Sequence, residues 1–207
     1  MRSRLRHIVQ TVGRRWRICV TPSIQEDNDH SVSFAGLQIR TPKANELAAV
    51  LSMVRKSCAL HQNWDPSKFA VVEDFTDKYG RWLRERVNDP HSVFLVAAAD
   101  GQPVAFLIGT IDHGIPIYRV STYGYIRDLW VEESHRRTGI GREIVKMAIA
   151  RFTQLGVEQV RLEVAAKNPS ARPFFESCGF RISAIEMLIE QEADIHGANH
   201  SGSEPSR

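Results

Sequence analysis

Two stretches with strand character, residues 122–131 and 159–165, are joined by an apolar series at helical spacing: Ile140, Ile144, Val145, Ala148, Ile149 and Phe152. Arg142, Glu143, Lys146, Arg151 and Gln154 fall on the opposite side of that helix, and Gly156 is its expected C-cap. A helix of this length cannot close a hairpin. It must cross over the sheet and return the second strand parallel to the first.

The remaining elements are arranged around that parallel pair. Leu37–Arg40 reads as a short strand, followed by a helix with Thr41 at its N-cap, Pro42 in its first position and Leu47, Val50, Leu51 and Val54 on its apolar face. A second helix is predicted over residues 71–87. Strands over 92–99 and 103–111 flank Asp100-Gly101, a dipeptide that favours a two-residue hairpin, and the strand over 122–131 follows a loop carrying Gly114 and Pro116. A short helix over 170–177 stops at Gly179, and a last strand over 180–189 is predicted to complete the sheet. The fold class is α/β with a mixed sheet: antiparallel N-terminal strands and a central parallel pair. The folded domain is expected over 34–191, between a leader or disordered segment (1–33) and a disordered tail (192–207).

Composition narrows the function. Residues 1–25 hold six arginines and no acid, and the remainder carries 21 basic against 24 acidic residues. The positive charge therefore sits outside the predicted domain, which argues against nucleic-acid binding. The leader lacks the unbroken apolar core of a secretory signal, and a disordered tail or an upstream start codon accounts for it as simply. No apolar run approaches the roughly 18 residues that a membrane span needs. Three widely spaced cysteines, Cys19, Cys58 and Cys178, fit a reducing, cytoplasmic setting. His196 and His200 lack a carboxylate partner, so no metal is expected there or elsewhere.

The turn before the crossover helix is Arg136-Arg137-Thr138-Gly139-Ile140-Gly141. A helix N-terminus offers unpaired N–H groups and about half a positive charge, and glycine lets a phosphate approach the backbone. Arg136, Arg137 and Arg142 add charged donors around the same point, so the turn suits a diphosphate. The plainer alternative is a glycine turn that only starts a helix. Gly139 reads as part of an exposed turn, where a side chain would cost the fold little. Neither the Walker pattern nor the dinucleotide G-x-G-x-x-G fingerprint is present.

Leu129-Trp130-Val131, Arg136-x-x-Gly139-x-Gly141, Asn168-x-x-Ala171 and Phe174-Phe175-x-x-x-Gly179-Phe180 together resemble the successive motifs of the GNAT acyltransferase superfamily. The resemblance covers about residues 36–190 in element order and is motif-level from Asp128 to Phe180. It implies an N-acetyltransferase that uses acetyl-CoA as co-substrate and passes the acetyl group to a primary amine, on a small molecule or a peptide, in a ternary complex. It further implies that Leu129 and Val131 pair through their backbone with the pantetheine arm, that residues 136–142 hold the pyrophosphate, and that Asn168 contacts the arm. Asn168-Pro169-Ser170 also reads as a loop that caps a helix. Tyr79, Trp82, His61, Trp64 and the loop 111–123 would border the acceptor, although His61 and Trp64 also read as helix-end packing. A homodimer is compatible with such a domain.

Transfer to an amine requires removal of a proton. Asp128 is the leading base, because an acid in the apolar stretch 126–131 is costly to bury without a purpose. The alternative is that Asp128 pairs with Arg127 or another arginine, or binds substrate without titrating. Glu132, Glu133 and Glu163 are weaker candidates. Tyr125 stands where many members of the superfamily have a glutamate, and Phe175 replaces the usual tyrosine acid. That departure supports a second reading, a non-catalytic protein that binds acyl-CoA as a sensor or scaffold. Covalent catalysis through Cys178 has little support, since no His or cationic partner lies near it in sequence.

Overall fold

The computed structural model describes residues 32–34 and 36–191. The arginine-rich leader, Cys19, and the tail with His196 and His200 lie outside them. Among the described residues no helix is long and apolar enough to cross a membrane.

Six strands form one sheet among the described residues, in chain order: β1 (Val32–Phe34), β2 (Leu37–Arg40), β3 (Ser92–Ala99), β4 (Gln102–His113), β5 (Thr122–Val131) and β6 (Val160–Leu162). All neighbours are antiparallel except β5 and β6, which run parallel. Helix α3 (Ile140–Gln154) makes the crossover between them. At the β3–β4 hairpin Asp100 and Gly101 both take positive φ, +49° and +77°, as a primed two-residue turn requires. The mixed sheet and its crossover are those expected from the sequence. The parallel pair, however, ends the described sheet and does not occupy its middle, because residues 180–191 form no strand. Ile185, Met187 and Ile189 are 83%, 91% and 85% exposed, so their β-rich pattern has no strand beside it.

Helices cover both faces. Residues alternating along β3 divide between them: Val93, Leu95 and Ala97 pack toward Ile140, Ile144, Val145, Ala148 and Phe152 of α3. Phe94 and Val96 pack toward α1 (Leu47–Trp64) and α2 (Phe75–Val87), against Val50, Met53, Val54 and Leu83. The start of α1 differs from the expected Thr41 cap. One turn of 3₁₀ helix, Ala44–Glu46, precedes it, and the Lys43 N–H donates to Glu46 Oε2 at 2.7 Å. Glu46 is in turn gripped by Arg40 through two bonds of 2.7 and 2.8 Å, with both side chains 6% exposed. Thr41 instead accepts a bond from Arg151 of α3 at 3.0 Å. α2 starts at Phe75, four residues later than expected, after a turn that leaves Val72 54% exposed.

The Arg40 bonds and the Lys43 N–H hold the Glu46 carboxyl below the usual carboxylate range. A folded-state pKa lowered in this way contributes stability above the unfolded value, and that stability is lost as pH falls through the folded one. Glu46→Gln should therefore cost about 2 kcal/mol at pH 7, and the gap from the parent should narrow at about pH 3. Urea midpoints at the two pH values check this; a gap independent of pH counts against an ionic role for Glu46.

Candidate active site

The pairing of β4 with β5 passes from Ile108–Asp128 to Gly109–Ile126, which leaves Arg127 as an extra residue in a β-bulge. Ile126 and Leu129, three positions apart, consequently share the α3 face, which an unbroken strand would forbid. Asp128 is thereby turned toward α1 and α2, where the Tyr79 hydroxyl of α2 donates to its Oδ2. Burial pushes the Asp128 carboxyl above its ordinary range, against the opposing pull of the Tyr79 bond, His61 and Arg127. Arg127 does not pair with Asp128. It bonds Thr110 and Asp112 and lies over the Tyr125 ring, its guanidinium carbon 4.5 Å from the centroid.

β6 pairs with Gly124, Tyr125 and Ile126, so within the described residues β5 has no strand partner on that side from Arg127 onward. Residues 163–165, expected to extend the strand, have left the ladder. The Glu132 N–H donates to Val104 O at 2.8 Å. Antiparallel alternation then gives β4 the backbone groups of Trp130 and Asp128 and turns those of Leu129 and Val131 to the parted side. One of these is already used, since Arg136 Nε donates to Val131 O at 2.9 Å. The Arg136 guanidinium also lies 4.9 Å from the Trp130 ring centroid, in the wall of a shallow pocket of about 420 Å³ with Lys56 and Glu132.

Beyond β5 a 3₁₀ turn, Glu133–His135, leads into the glycine turn. Arg137 takes φ +63° and Gly139 φ +93°. No acceptor within the described residues takes the N–H groups of Thr138, Gly139, Ile140 and Gly141. Such a run of free amides before a helix suits an anion, and the Arg137 side chain has no hydrogen-bond or ionic partner among the described residues. Gly139 is more constrained than an exposed turn suggests. Its φ disfavours any side chain, and a Cβ would stand 3.1 Å from Phe34 Cζ, so a valine here costs stability as well as any ligand. Gly141 has a packing reason too: a Cβ would meet the Phe174 ring at 3.2 Å.

The other predicted residues have different partners. Arg142 reaches away to Ser177, donating to its backbone oxygen at 2.7 Å and its hydroxyl at 3.0 Å. Asn168 Oδ1 accepts from the Ala171 N–H at 3.1 Å and caps α4 (Ala171–Ser177), as its plainer reading held. Phe175 packs edge-on against Phe174 and Phe180, with centroids 5.0 and 5.6 Å apart. Glu132 is paired with Lys56, and Glu163 with Lys68 and Tyr125. His61 and Tyr79 both lie close enough to Asp128 to act on its charge, whereas Trp82 stacks edge-on against Tyr79. The Tyr79–Asp128 bond has no local signature, because the two residues are 49 positions apart.

The sequence profile of the Acetyltransferase (GNAT) family matches residues 58–180. Among curated relatives, human N-alpha-acetyltransferase 30 is 40% identical over 112 residues, which are 53% of this chain and 30% of that protein. The thialysine N-epsilon-acetyltransferase of Sus scrofa is 25% identical over 155 residues, 72% of this chain and 86% of the relative. The chain thus spans under a third of the human relative it matches. A solved variant of the BH1408 protein from Bacillus halodurans superposes with a TM-score of 0.65 at 22% identity, covering 74% of this chain and 99% of that one. The aminoglycoside N-acetyltransferase AAC(6')-Iy, solved with the bisubstrate analog CoA-S-monomethyl-acetylneamine, superposes with a TM-score of 0.58 at 16% identity, covering 76% and 99%. These two likenesses concern the fold.

Proposed function

Because the chain belongs to the acetyltransferase (GNAT) family, we propose that it moves an acetyl group from acetyl-CoA to the primary amine of a small molecule or peptide in a ternary complex. The observation that carries this reading is the turn of free amides at the start of α3 beside the unpaired edge of β5. The turn and Arg137 suit the pyrophosphate of acetyl-CoA. The arm then runs along β5, meeting Leu129 and the Val131 N–H, with Phe174 and Phe175 near its far end. Arg136 takes part only if its bond to Val131 O is exchanged for one to phosphate.

The acceptor approaches from the α1–α2 face, where Asp128 stands. The amine nitrogen attacks the thioester carbonyl, the C–S bond breaks, the acetyl group stays on nitrogen, and the amine proton passes to Asp128 Oδ1 or to a water held there. Phe175 offers no proton to the departing sulfur. An alkyl thiol ionises in water at about pH 8.5, so its thiolate leaves near neutral pH with modest help. The missing hydroxyl therefore does not stop turnover.

Arg137→Ala should weaken acetyl-CoA binding by about 10–100-fold, the worth of a charge-assisted bond to phosphate. The melting temperature should hold, because this exposed side chain makes no hydrogen bond or ion pair within the described residues. Calorimetric titration checks it, and an unchanged affinity removes the turn from the binding site.

A further inference from the structure

The reaction above employs one oxygen of Asp128. The other is taken, since Oδ2 accepts the Tyr79 hydroxyl while Oδ1 accepts no bond within the described residues and is not completely enclosed. The groups that act on Asp128 come from three elements, Tyr79 from α2, His61 from α1 and Arg127 from β5, and Asp128 in turn helps to raise the pKa of the Cys58 thiol on α1, after burial. From β4 the residue opposite is the apolar, fully buried Ile108. Arg127 is spent on Asp112 and Thr110, and His61 holds the Ser57 carbonyl through Nδ1 at 2.8 Å. Tyr79 is therefore the side chain that fixes the carboxylate. Its ring is locked in turn by Trp82, with centroids 5.1 Å apart at 65°.

We propose that Tyr79 is a positioning residue for the base: it anchors Oδ2 on the α2 side and so presents Oδ1 to the amine of the acceptor. The inference rests on Asp128 acting as the base. Burial beside a carboxylate raises the phenol's own pKa, so it keeps its hydrogen and acts only as a donor. A donor aimed at a carboxylate favours its ionised form, which is the form a base needs.

The test compares kcat/KM against pH for the parent, Tyr79→Phe and Asp128→Asn, with an NMR titration of the carboxyl in carbon-labelled protein, assigned from the signal that Asp128→Asn removes. In Tyr79→Phe the carboxyl midpoint and the acid limb of the profile should both move to higher pH. The rate near neutral pH should fall about tenfold, and acetyl-CoA affinity should stay within about twofold. Replacing Tyr79 by 3-fluorotyrosine, a stronger donor of nearly the same size, should move both to lower pH and guards against a variant that fails to fold. An unmoved midpoint, or a midpoint that moves while the acid limb stays, overturns the role of Tyr79 even if Asp128→Asn abolishes the limb. A parental profile in Asp128→Asn instead overturns the assignment of the base, and the role of Tyr79 with it.

Discussion

Asp128→Asn should lower the rate of acetyl transfer by about 10²–10⁴-fold, the worth of a positioned base, and should also raise the melting temperature. The second effect follows from the sign of the pKa shift. Burial raises the carboxyl's folded-state pKa. Such a group contributes stability that is complete below its unfolded pKa and is lost as pH rises through the folded one. At neutral pH the charged carboxylate is therefore a cost to the fold, and asparagine cannot incur it. The amide carbonyl still accepts from Tyr79, so the geometry survives the exchange. The variant should gain about 1 kcal/mol at pH 7, a few degrees for a domain of this size, and little at pH 4. Melting curves at both pH values, with single-turnover rates, check the pair of effects. A lower melting temperature at pH 7 would make Asp128 a structural partner, the alternative that its sequence leaves open.

The largest loss of stability should come from Phe152→Ala, about 3–5 kcal/mol, against a total that for most domains is about 5–15 kcal/mol. Phe152 is fully buried at the last turns of α3 and lies against two glycines on adjacent strands. A Cβ on Gly109 would stand 2.7 Å from its Cζ, and one on Gly124 2.6 Å from its Cδ1. The ring fills the space that these glycines leave and thereby seats the helix whose other end carries the turn of free amides. Gly124→Ala should cost about 1–3 kcal/mol by overpacking, and markedly less in a Phe152→Leu background, where the smaller side chain yields. Urea unfolding of the four proteins completes the cycle. Strictly additive losses would show that Gly124 serves some need other than room for the ring.

The crossover helix was legible because its apolar residues repeat at 3.6 over fifteen positions, and β3 and β5 because their apolar or β-branched runs end at turn residues. Gly156 and Gly179, read as helix stops, both take positive φ. The failures concern partners distant in sequence. Residues 180–189 carry a strand's composition, but a strand exists only beside another, and local pattern does not supply one. The bulge at Arg127 turns Asp128 toward α2 without any sequence mark beyond Ile126 and Leu129 sharing a face. Gly109 and Gly124 pass for weak points inside strands until Phe152 is placed against them. In the glycine turn the pattern marked where the free amides lie but not their neighbours: Phe34 constrains Gly139, Arg142 bonds Ser177, and Arg136 bonds Val131 O.

The most direct test of acetyl transfer is to mix the 207-residue chain with acetyl-CoA and a panel of small amines and peptide amines, following free thiol by absorbance and acetylated product by mass spectrometry. Thiol should appear only when an accepted amine is present, one for each amine acetylated, and should fall away in Asp128→Asn. Tight binding of acetyl-CoA with no amine-dependent thiol from any member of the panel would contradict an enzyme and leave a protein that only holds acyl-CoA.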